Sequence, residues 1–301
     1  MKPKMPAGRY VVAVSGGVDS MTLLHMLVQK RHRKTKNNVQ LVVAHFNHGI
    51  REGSAKDEKL VAGVARKHNL PLEIERAKLG KNASEEKARV ARYKFLYKVK
   101  TKHGARAIIT AHHQDDLIET AFINLLRGTG RRGLTALAQN PDVIRPLLDT
   151  PKKELIKYAK AHKLEWLEDK TNKDPAYLRN YIRLKLISKL TQSQREQLVA
   201  NIQRLNRINP LLDHEIAILS QSIGQNGQID RQRFINLPTE IAAEVLAFKL
   251  RQAQIRQFDK KMLERLSIAI KTAKAGTKHD VIKGVKMEIS REFALLMTGV
   301  N

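Results

Sequence analysis

Cysteine is absent from all 301 residues of the sequence. This excludes disulfide bonds, thiolate zinc sites, iron–sulfur clusters and cysteine nucleophiles as features of this chain. The sequence also lacks an apolar run of the roughly 18 residues that a membrane span needs. The basic segment 1–10 has no apolar stretch of the kind that follows it in a signal peptide. We therefore expect a cytoplasmic protein with no membrane partner.

Acidic residues are scarce relative to basic ones. There are 29 Asp and Glu against 56 Lys and Arg, which gives a formal net charge of +27 and a pI near 10.3. The excess is shared, because residues 1–180 carry +18 and residues 181–301 carry +9. Such a charge favours a polyanionic partner, and nucleic acid is preferred over an anionic membrane surface. The length allows one large domain or two ordinary ones.

Residues 11–24 read VVAVSGGVDSMTLL and predict a strand, a glycine turn and the start of a helix. Backbone N–H groups converge on an anion in such a turn, and glycine lets phosphate approach closely. The turn is not a Walker A loop, because Asp19 stands where a basic residue would be needed. An aspartate beside phosphate suggests an intervening divalent cation. The alternative is an ordinary strand–turn–helix without a ligand.

Apolar and amphipathic stretches alternate through the first 190 residues. Strands are predicted at 39–46, 70–74, 107–111 and 143–148, and helices at 54–68, 84–100 and 152–162. We expect an α/β fold with a Rossmann-like doubly wound parallel sheet, which binds ligands outside the carboxyl ends of its strands. His45 and His48 follow the second strand, where nucleotide contact is favoured over a metal site.

Three carboxylates begin the helix after the fourth predicted strand. Asp115, Asp116 and Glu119 have the spacing of one helical face, so we expect one acidic face at the strand end. Magnesium or an ammonium group would satisfy such a face. The alternative is an acidic first turn that only complements the helix dipole.

Arginines occur at helical spacing in two other segments. Arg89 and Arg92 are three residues apart, and Arg179 and Arg183 are four apart, so each pair shares a face. Each pair of arginines either contacts an anion or is ordinary surface charge. The glycine-rich basic segment 127–133 predicts a flexible loop that contacts phosphate or RNA.

The last third of the chain shows no catalytic constellation. Residues 192–219 predict one long helical stretch, broken only at Pro210, that links to a smaller part. There we expect helices at 240–251 and 260–272 and a strand pair at 281–289 and 293–297. The predicted domains are a domain with the candidate site at 1–190, a helical linker at 191–219 and a mostly helical or α+β domain at 220–301. The last is either a basic accessory domain that binds substrate or a domain that only stabilises the fold.

Five sequence blocks carry a resemblance to a known family. SGGVDS at 15–20 resembles the PP-loop signature of the ATP pyrophosphatases, which cleave ATP between its α and β phosphates. Taken together, the blocks closely resemble the tRNA(Ile)-lysidine synthases. The other four are HFNHGIR at 45–51, ARVARYKFL at 88–96, TAHHQDDLIET at 110–120 with RGTGRRGL at 127–134, and EDKTN at 168–172 with YLRNYIR at 177–183.

The resemblance implies a ligase that uses ATP and Mg²⁺. ATP would adenylate the C-2 carbonyl oxygen of the wobble cytidine in a tRNA(Ile) with a CAU anticodon. The ε-amine of L-lysine would then displace AMP. The lysidine that forms pairs with A rather than G, so the tRNA changes from methionine to isoleucine identity. A homodimer is compatible with the sequence, which does not specify the oligomeric state.

The resemblance also implies roles for particular residues. Asp19 and Asp116 would bind magnesium, and Ala44 and His45 would lie near the adenosine. A nearby carboxylate or His112 would deprotonate the amine, and which carboxylate meets lysine stays open. The implied catalytic residues are Asp19, His112, Asp115, Asp116, Glu119 and Arg179, and the implied ATP-binding residues are Ser15, Gly16, Gly17, Val18, Asp19, Ser20, Ala44, His45, Arg89 and Arg92, with Arg183 a further anion contact.

Two alternative functions remain at this point. One is another PP-loop enzyme of tRNA modification, such as a thiolase, but sulfur transfer there would use a cysteine or an iron–sulfur cluster. The other is a non-catalytic basic RNA-binding protein with a decayed nucleotide fold. Against it, every acidic residue of the motifs is present.

Overall fold

The fold comes from a computed structural model that describes residues 6–32, 38–49, 54–77, 84–138, 140, 142–167, 178–225, 227–255 and 257–298. The chain forms two compact units. The first comprises Met1–Ile123 and Thr135–Ile202, and the second comprises Asn124–Leu134 and Gln203–Asn301. The second unit thus includes a short piece of chain from the middle of the first. The domain division expected at residues 190 and 219 stays a prediction.

A parallel five-stranded sheet lies at the centre of the first unit, in the order β3-β2-β1-β4-β5. This confirms the predicted α/β fold. The chain moves outward from β1 in both directions, which creates a crevice between the carboxyl ends of β1 and β4. The strands are β1 Gly8–Ala13, β2 Val39–Asn47, β3 Leu72–Arg76, β4 Ala107–Ile109 and β5 Val143–Ile144.

Helices cover the sheet of the first unit. Side chains alternate along a strand, so Tyr10 and Val12 pack into one core and Val11 packs into another on the opposite face. Burial on both faces explains why β1 and β2 contain consecutive apolar residues, Tyr10–Ala13 and Leu41–Ala44, rather than an alternating pattern. The helices that belong wholly or partly to this unit are α1 Val18–His32, α2 Ser54–Lys67, α3 Glu85–Lys102, α4 Gln114–Leu126, α6 Lys152–Ala161, α7 Leu178–Tyr181 and α8 Gln192–Ile223.

Two helical segments differ from prediction. The segment that carries Arg179 and Arg183 at helical spacing is α-helical at Leu178–Tyr181, and a π-helical turn, Ile182–Leu186, and a 3₁₀ turn, Ile187–Lys189, follow it. The break expected at Pro210 is wrong, because α8 continues through this residue. Proline removes one backbone hydrogen bond, but the buried Ile202 and Ile216 on either side pack the helix into its surroundings.

The second unit is α+β, as predicted. Its sheet is antiparallel in the order β6-β9-β8-β7. The single strand expected at 281–289 is wrong: it is a hairpin that turns at Gly284, whose φ of 79° favours glycine. The strands are β6 Gln228–Asp230, β7 Lys278–Ile282, β8 Val285–Ile289 and β9 Phe293–Thr298, and the helices are α5 Arg131–Leu134, α9 Arg231–Ile235, α10 Thr239–Gln252 and α11 Lys260–Thr272.

None of the helices in the described part of the chain is long and apolar enough to cross a membrane.

Candidate active site

The turn between β1 and α1 is held together by its own serines. The Ser20 hydroxyl accepts the Ser15 N–H at 3.1 Å and donates to the Gly17 carbonyl at 3.0 Å. Gly16 has a φ of 92°, and a Cβ there would lie 3.2 Å from Cβ of Asp57. Gly16 is therefore required by both its conformation and the close approach of α2. The turn is compact and presents its backbone at the end of β1.

A pocket of about 790 Å³ lies beside this turn. Its volume suits a nucleotide-sized ligand. Ten of the fifteen predicted catalytic and ATP-binding residues line it, namely Ser15, Gly17, Val18, Asp19, Ser20, Ala44, His45, Arg92, His112 and Asp116. Those that do not line it are Gly16, Arg89, Asp115, Glu119 and Arg179.

His45 is oriented by the backbone of β1. Its Nδ1 lies 2.8 Å from the Val14 carbonyl oxygen, so Nδ1 carries the proton and donates it. Nε2 is then an acceptor, and this buried atom has no partner among the described residues. A ribose hydroxyl or an adenine amino group could supply the missing donor. His48 also lines the pocket, and the last two residues of the same sequence block, Ile50 and Arg51, lie outside the described residues.

One side of the pocket is acidic and is organised around His113. Nε2 of this buried imidazole lies 3.6 Å from Asp19 Oδ2 and 3.4 Å from Asp116 Oδ2. The Asp116 carboxylate also accepts the His113 backbone N–H at 2.9 Å. Lys152 approaches from α6, with Nζ 3.4 Å from Asp19 Oδ2. Two carboxylates and two basic groups thus meet at the carboxyl ends of β1, β4 and β5.

The charges on this side shift one another's titration. Burial lowers the pKa of His113, but Asp19 and Asp116 outweigh burial and raise it overall. Burial raises the pKa of Asp19, but the effects of His113 and Lys152 are larger than that of burial, so the pKa of Asp19 is lowered overall. One oxygen of Asp19, Oδ1, is buried without a partner in the described structure. The site therefore has room for a further cation at Asp19.

Asp115 does not join this acidic side. Its Oδ1 accepts the backbone N–H of Lys152 at 3.2 Å, and its Oδ2 lies 3.2 Å from Nη1 of Arg195. The expectation of one acidic face formed by three carboxylates is therefore wrong. Asp116 and Glu119 share one partner, since Arg183 lies 3.9 Å from the first and 2.6 Å from the second. Asp115 is bonded elsewhere, to the backbone of α6 and to Arg195 of α8.

Glu119 is fully buried and forms an ion pair. Arg183 Nε and Nη2 donate to its two oxygens at 2.6 and 2.9 Å, and Arg179 Nη1 lies 3.8 Å away. Burial lowers the pKa of Arg183, but the two bonds to Glu119 outweigh burial and raise it. The i, i+4 spacing of the arginines does place both on one target, but that target is a carboxylate of the protein.

Another part of the pocket is basic and contains His112. The Thr110 hydroxyl lies 2.8 Å from His112 Nδ1. Burial, and then the charges of nearby arginines, hold the pKa of His112 well below its usual value, so the ring is neutral near pH 7. These arginines are Arg92, Arg145, Arg89 and Arg179. The ring of Tyr93 lies 5.1 Å from the Arg89 guanidinium and 5.6 Å from that of Arg92.

Three residues of this site were missed from the sequence. They are His113 on the acidic side, Arg145 near His112, and Lys152 in the pocket. A signal existed, because Arg145 directly follows β5 and Lys152 begins the next helix. The rule that ligands bind at the carboxyl ends of parallel strands applies to β5 as it does to β1.

The basic segment 127–133 belongs to the second unit and is not an open loop. Arg131 begins helix α5, and its guanidinium bonds Glu244 at 3.1 Å, Asp213 at 2.6 Å and the Asn209 side chain at 3.0 Å. The expected phosphate contact is therefore wrong for Arg131, because protein acceptors already occupy its donors. The predicted motif residues 168–172 and Tyr177 lie outside the described residues.

The donor set of the pocket fits magnesium only in company with a phosphate ligand. Among the described residues, no group of three or more His, Asp or Glu side chains could hold a metal ion by itself. Asp19 and Asp116 supply two carboxylates, which both lie near Nε2 of His113, at 3.6 and 3.4 Å. Magnesium is commonly bound by one or two carboxylates together with substrate phosphates and water. The buried, unpartnered Asp19 Oδ1 is a suitable ligand.

Comparisons with known proteins agree with this geometry. The PP-loop domain family matches residues 1–190. A tRNA(Ile)-lysidine synthase from Pseudomonas aeruginosa is 36% identical over 256 residues, which cover 82% of this chain and 57% of that protein. One from Thermus thermophilus is 41% identical over 191 residues, covering 61% and 35%. The chain spans about half the length of the curated relatives it matches.

A solved structure shares the fold. The U34-tRNA thiolase NcsA from Methanococcus maripaludis aligns with a TM-score of 0.53 at 17% identity, covering 67% of this chain and 73% of that protein.

Proposed function

Because the chain belongs to the PP-loop domain family, we propose that it is a tRNA(Ile)-lysidine synthase. It would use ATP to adenylate the wobble cytidine of a CAU-anticodon tRNA(Ile) and then join L-lysine to C-2, releasing AMP and pyrophosphate. These substrates would place the reaction in the cytoplasm. The observation that carries the proposal is the pairing of Asp19 and Asp116 at His113, directly beside the serine–glycine turn.

ATP would lie with its phosphates at the turn 15–20 and its adenosine near Ala44 and His45. The unpartnered acceptor on His45 suits a hydroxyl or amino donor of the nucleoside. Asp19 and Asp116 would hold Mg²⁺, which would offset phosphate charge and favour loss of pyrophosphate. The arginine-rich side, with Arg92 in the pocket, would receive anionic groups.

His112 is a neutral imidazole in the pocket and can accept a proton from the lysine ammonium. The amine must be neutral before it can attack the adenylated base. The depressed pKa of His112 keeps the imidazole unprotonated and therefore able to accept. Of the three carboxylates, Asp116 is the one that lines the pocket, so we assign lysine or magnesium contact to it and not to Glu119.

tRNA would contact basic side chains that are exposed. In the second unit these include Arg204, Arg207 and Lys261. Other basic groups of that unit are already used, since Arg231 donates to Ile270, Lys249 to Gly224 and Lys271 to Leu237, all at backbone carbonyls. Binding to phosphate releases counterions, so tRNA affinity should fall steeply with salt. The single-stranded wobble base can be splayed into the pocket.

The function is tested by incubating the purified chain with ATP, magnesium, L-lysine and a tRNA(Ile) transcript bearing a CAU anticodon. Pyrophosphate release and nucleoside mass spectrometry would report the two half-reactions. We expect lysidine only in the complete mixture, and none on a transcript with U at the wobble position. Pyrophosphate release without any lysine in the nucleosides, or no reaction at all, would contradict the proposal.

A further inference from the structure

Lys152 brings a second positive charge to the PP-loop turn. It is the first residue of α6, and its ammonium lies 3.4 Å from Asp19 Oδ2. The side chain lines the pocket and is 34% exposed, so a ligand can reach it. Nothing in the sequence motif SGGVDS specifies this lysine, which lies 133 residues further along the chain.

The backbone of Lys152 is held by the first turn of α4. Pro151 precedes α6 and makes no side-chain cap, so the acceptor that a helix N-terminus needs must come from elsewhere. Asp115 supplies it by accepting the Lys152 N–H at 3.2 Å. Asp115 is in turn 3.2 Å from Nη1 of Arg195, whose Nη2 donates to the Ile187 carbonyl at 2.6 Å. The position of Lys152 thus depends on a chain of contacts outside the pocket.

We propose that Lys152 binds a phosphate oxygen of ATP and of the pyrophosphate it releases, and that Asp115 is the residue that positions Lys152. This inference rests on the proposed use of ATP at the site. A magnesium ion on Asp19 Oδ1 would repel the ammonium of Lys152, which lies at Oδ2 of the same carboxylate, and would take up its negative charge. Lys152 then needs another anion, and the phosphates at the adjacent turn are the nearest class of ligand. Asp115 acts through the backbone of α6 and touches no substrate.

The alternative is that Lys152 only neutralises Asp19. The two roles differ in their effect on nucleotide binding. If Lys152 were a counter-ion alone, its removal would leave magnesium–ATP affinity unchanged or improve it, because Asp19 would be freed for the metal. If Lys152 binds phosphate, its removal weakens the binding of both magnesium–ATP and magnesium–pyrophosphate.

The test is isothermal titration of the purified chain with magnesium–ATP and, separately, with magnesium–pyrophosphate, without tRNA or lysine. We expect Lys152→Met to weaken both ligands by roughly ten- to a hundredfold, the loss of one charge-assisted hydrogen bond. Lys152→Arg should recover part of the loss. Lys153→Met is the matched control, since Lys153 is exposed, bonds Gln192 and does not line the pocket. Wild-type affinity in Lys152→Met would overturn the phosphate contact.

Asp115 is tested by two variants that differ in one property. Asp115→Asn keeps an oxygen that can accept the Lys152 N–H, whereas Asp115→Ala does not. We expect Asp115→Ala to lose ATP affinity as Lys152→Met does, and Asp115→Asn to retain most of it. The Asp115→Ala and Lys152→Met effects should not add in the double variant. Equal affinities for Asp115→Ala and wild type would overturn the positioning role.

Failure of this inference is separable from failure of the proposed function. ATP and pyrophosphate binding are measured without tRNA or lysine, while lysidine formation is measured on the wild-type chain. Thermal unfolding of each variant identifies any that fails to fold, and Lys152→Arg preserves the charge and provides a second reading. If the wild-type chain forms lysidine and the Lys152→Met variant binds ATP with wild-type affinity, this inference is refuted while the proposed function stands.

Discussion

His112 and His113 are neighbours in sequence but lie in opposite electrostatic surroundings. His113 is held between the carboxylates of Asp19 and Asp116, which raise its pKa. His112 is bonded to Thr110 and lies near four arginines, and both burial and these charges lower its pKa. One histidine therefore favours the charged form and the other favours the neutral form at the same pH.

The difference shows how one strand end can serve two kinds of chemistry. Consecutive residues leaving a strand point in opposite directions, so the two rings enter different parts of the site. The side with His113 suits cations such as magnesium, and the side with His112 suits anions and proton acceptance.

The acidic side is tested most severely by Asp19→Asn. This change removes one charge from the pair at His113 while keeping the size of the side chain. We expect ATP-dependent modification to fall by about a thousandfold or more, because several kcal/mol of stabilisation by a bound metal would be lost. Steady-state turnover with tRNA and lysine is the measurement. Asp280→Asn, in an exposed position of the second unit, is the control, and near-normal turnover of Asp19→Asn would contradict the assignment.

Substitutions of Glu119 and Asp116 should lower the free energy of unfolding by different amounts. Glu119→Gln removes the closer of the two carboxylates of the partly buried Arg183 and leaves only Asp116, at 3.9 Å, and breaking such a buried pair costs about 3 kcal/mol. Asp116→Asn should cost much less, because this side chain lines an open pocket. Urea denaturation of both variants gives the two free energies of unfolding. Equal losses would mean that the two carboxylates do not divide into structural and pocket roles.

The basic side is tested by Arg145→Met. Arg145 lowers the pKa of His112 by its charge, so its removal should raise that pKa. NMR titration of the His112 ring measures this directly. If anions bind on this side, KM for the anionic substrate should also rise, by about tenfold for one lost charge-assisted contact. Arg106→Met, at the amino end of β4 and exposed, should change neither quantity.

The smallest effect is a pair of opposite pH dependences in metal-free protein. His112 binds its proton less readily in the folded state than in the unfolded chain, whose pKa is near 6.5. Stability should therefore fall as the pH drops below about 6.5, by at most about 1.4 kcal/mol per pH unit. His113 has the raised pKa, so its contribution is complete below 6.5 and is lost as the pH rises through the raised value.

Substitution separates these two contributions. His112→Gln should flatten the acidic limb of the stability profile, and His113→Gln should flatten the limb above 6.5. Denaturant midpoints at several pH values measure both. The same change of slope in the two variants would show that the rings do not occupy opposite surroundings.

Much of the first unit could be predicted from local pattern. The apolar runs at β1 and β2, the turn at Gly16 and the helix after Asp19 all follow from neighbouring residues. The π-helical turn Ile182–Leu186 could not be predicted, because its residues have ordinary helical spacing. The hairpin at Gly284 was missed for a similar reason, since the apolar alternation continues on both sides of the turn.

The sequence by itself determined the apolar strands, the serine–glycine turn and the excess of positive charge, because each depends on residue types or on residues close together in the chain. Only the tertiary structure decided which charges remain available. Asp115 is committed to Lys152, Glu119 to Arg183 and Arg131 to Glu244. Partners separated by dozens of residues compete for each charged group, and the folded chain selects among them by distance and burial, which spacing along a single helix does not encode.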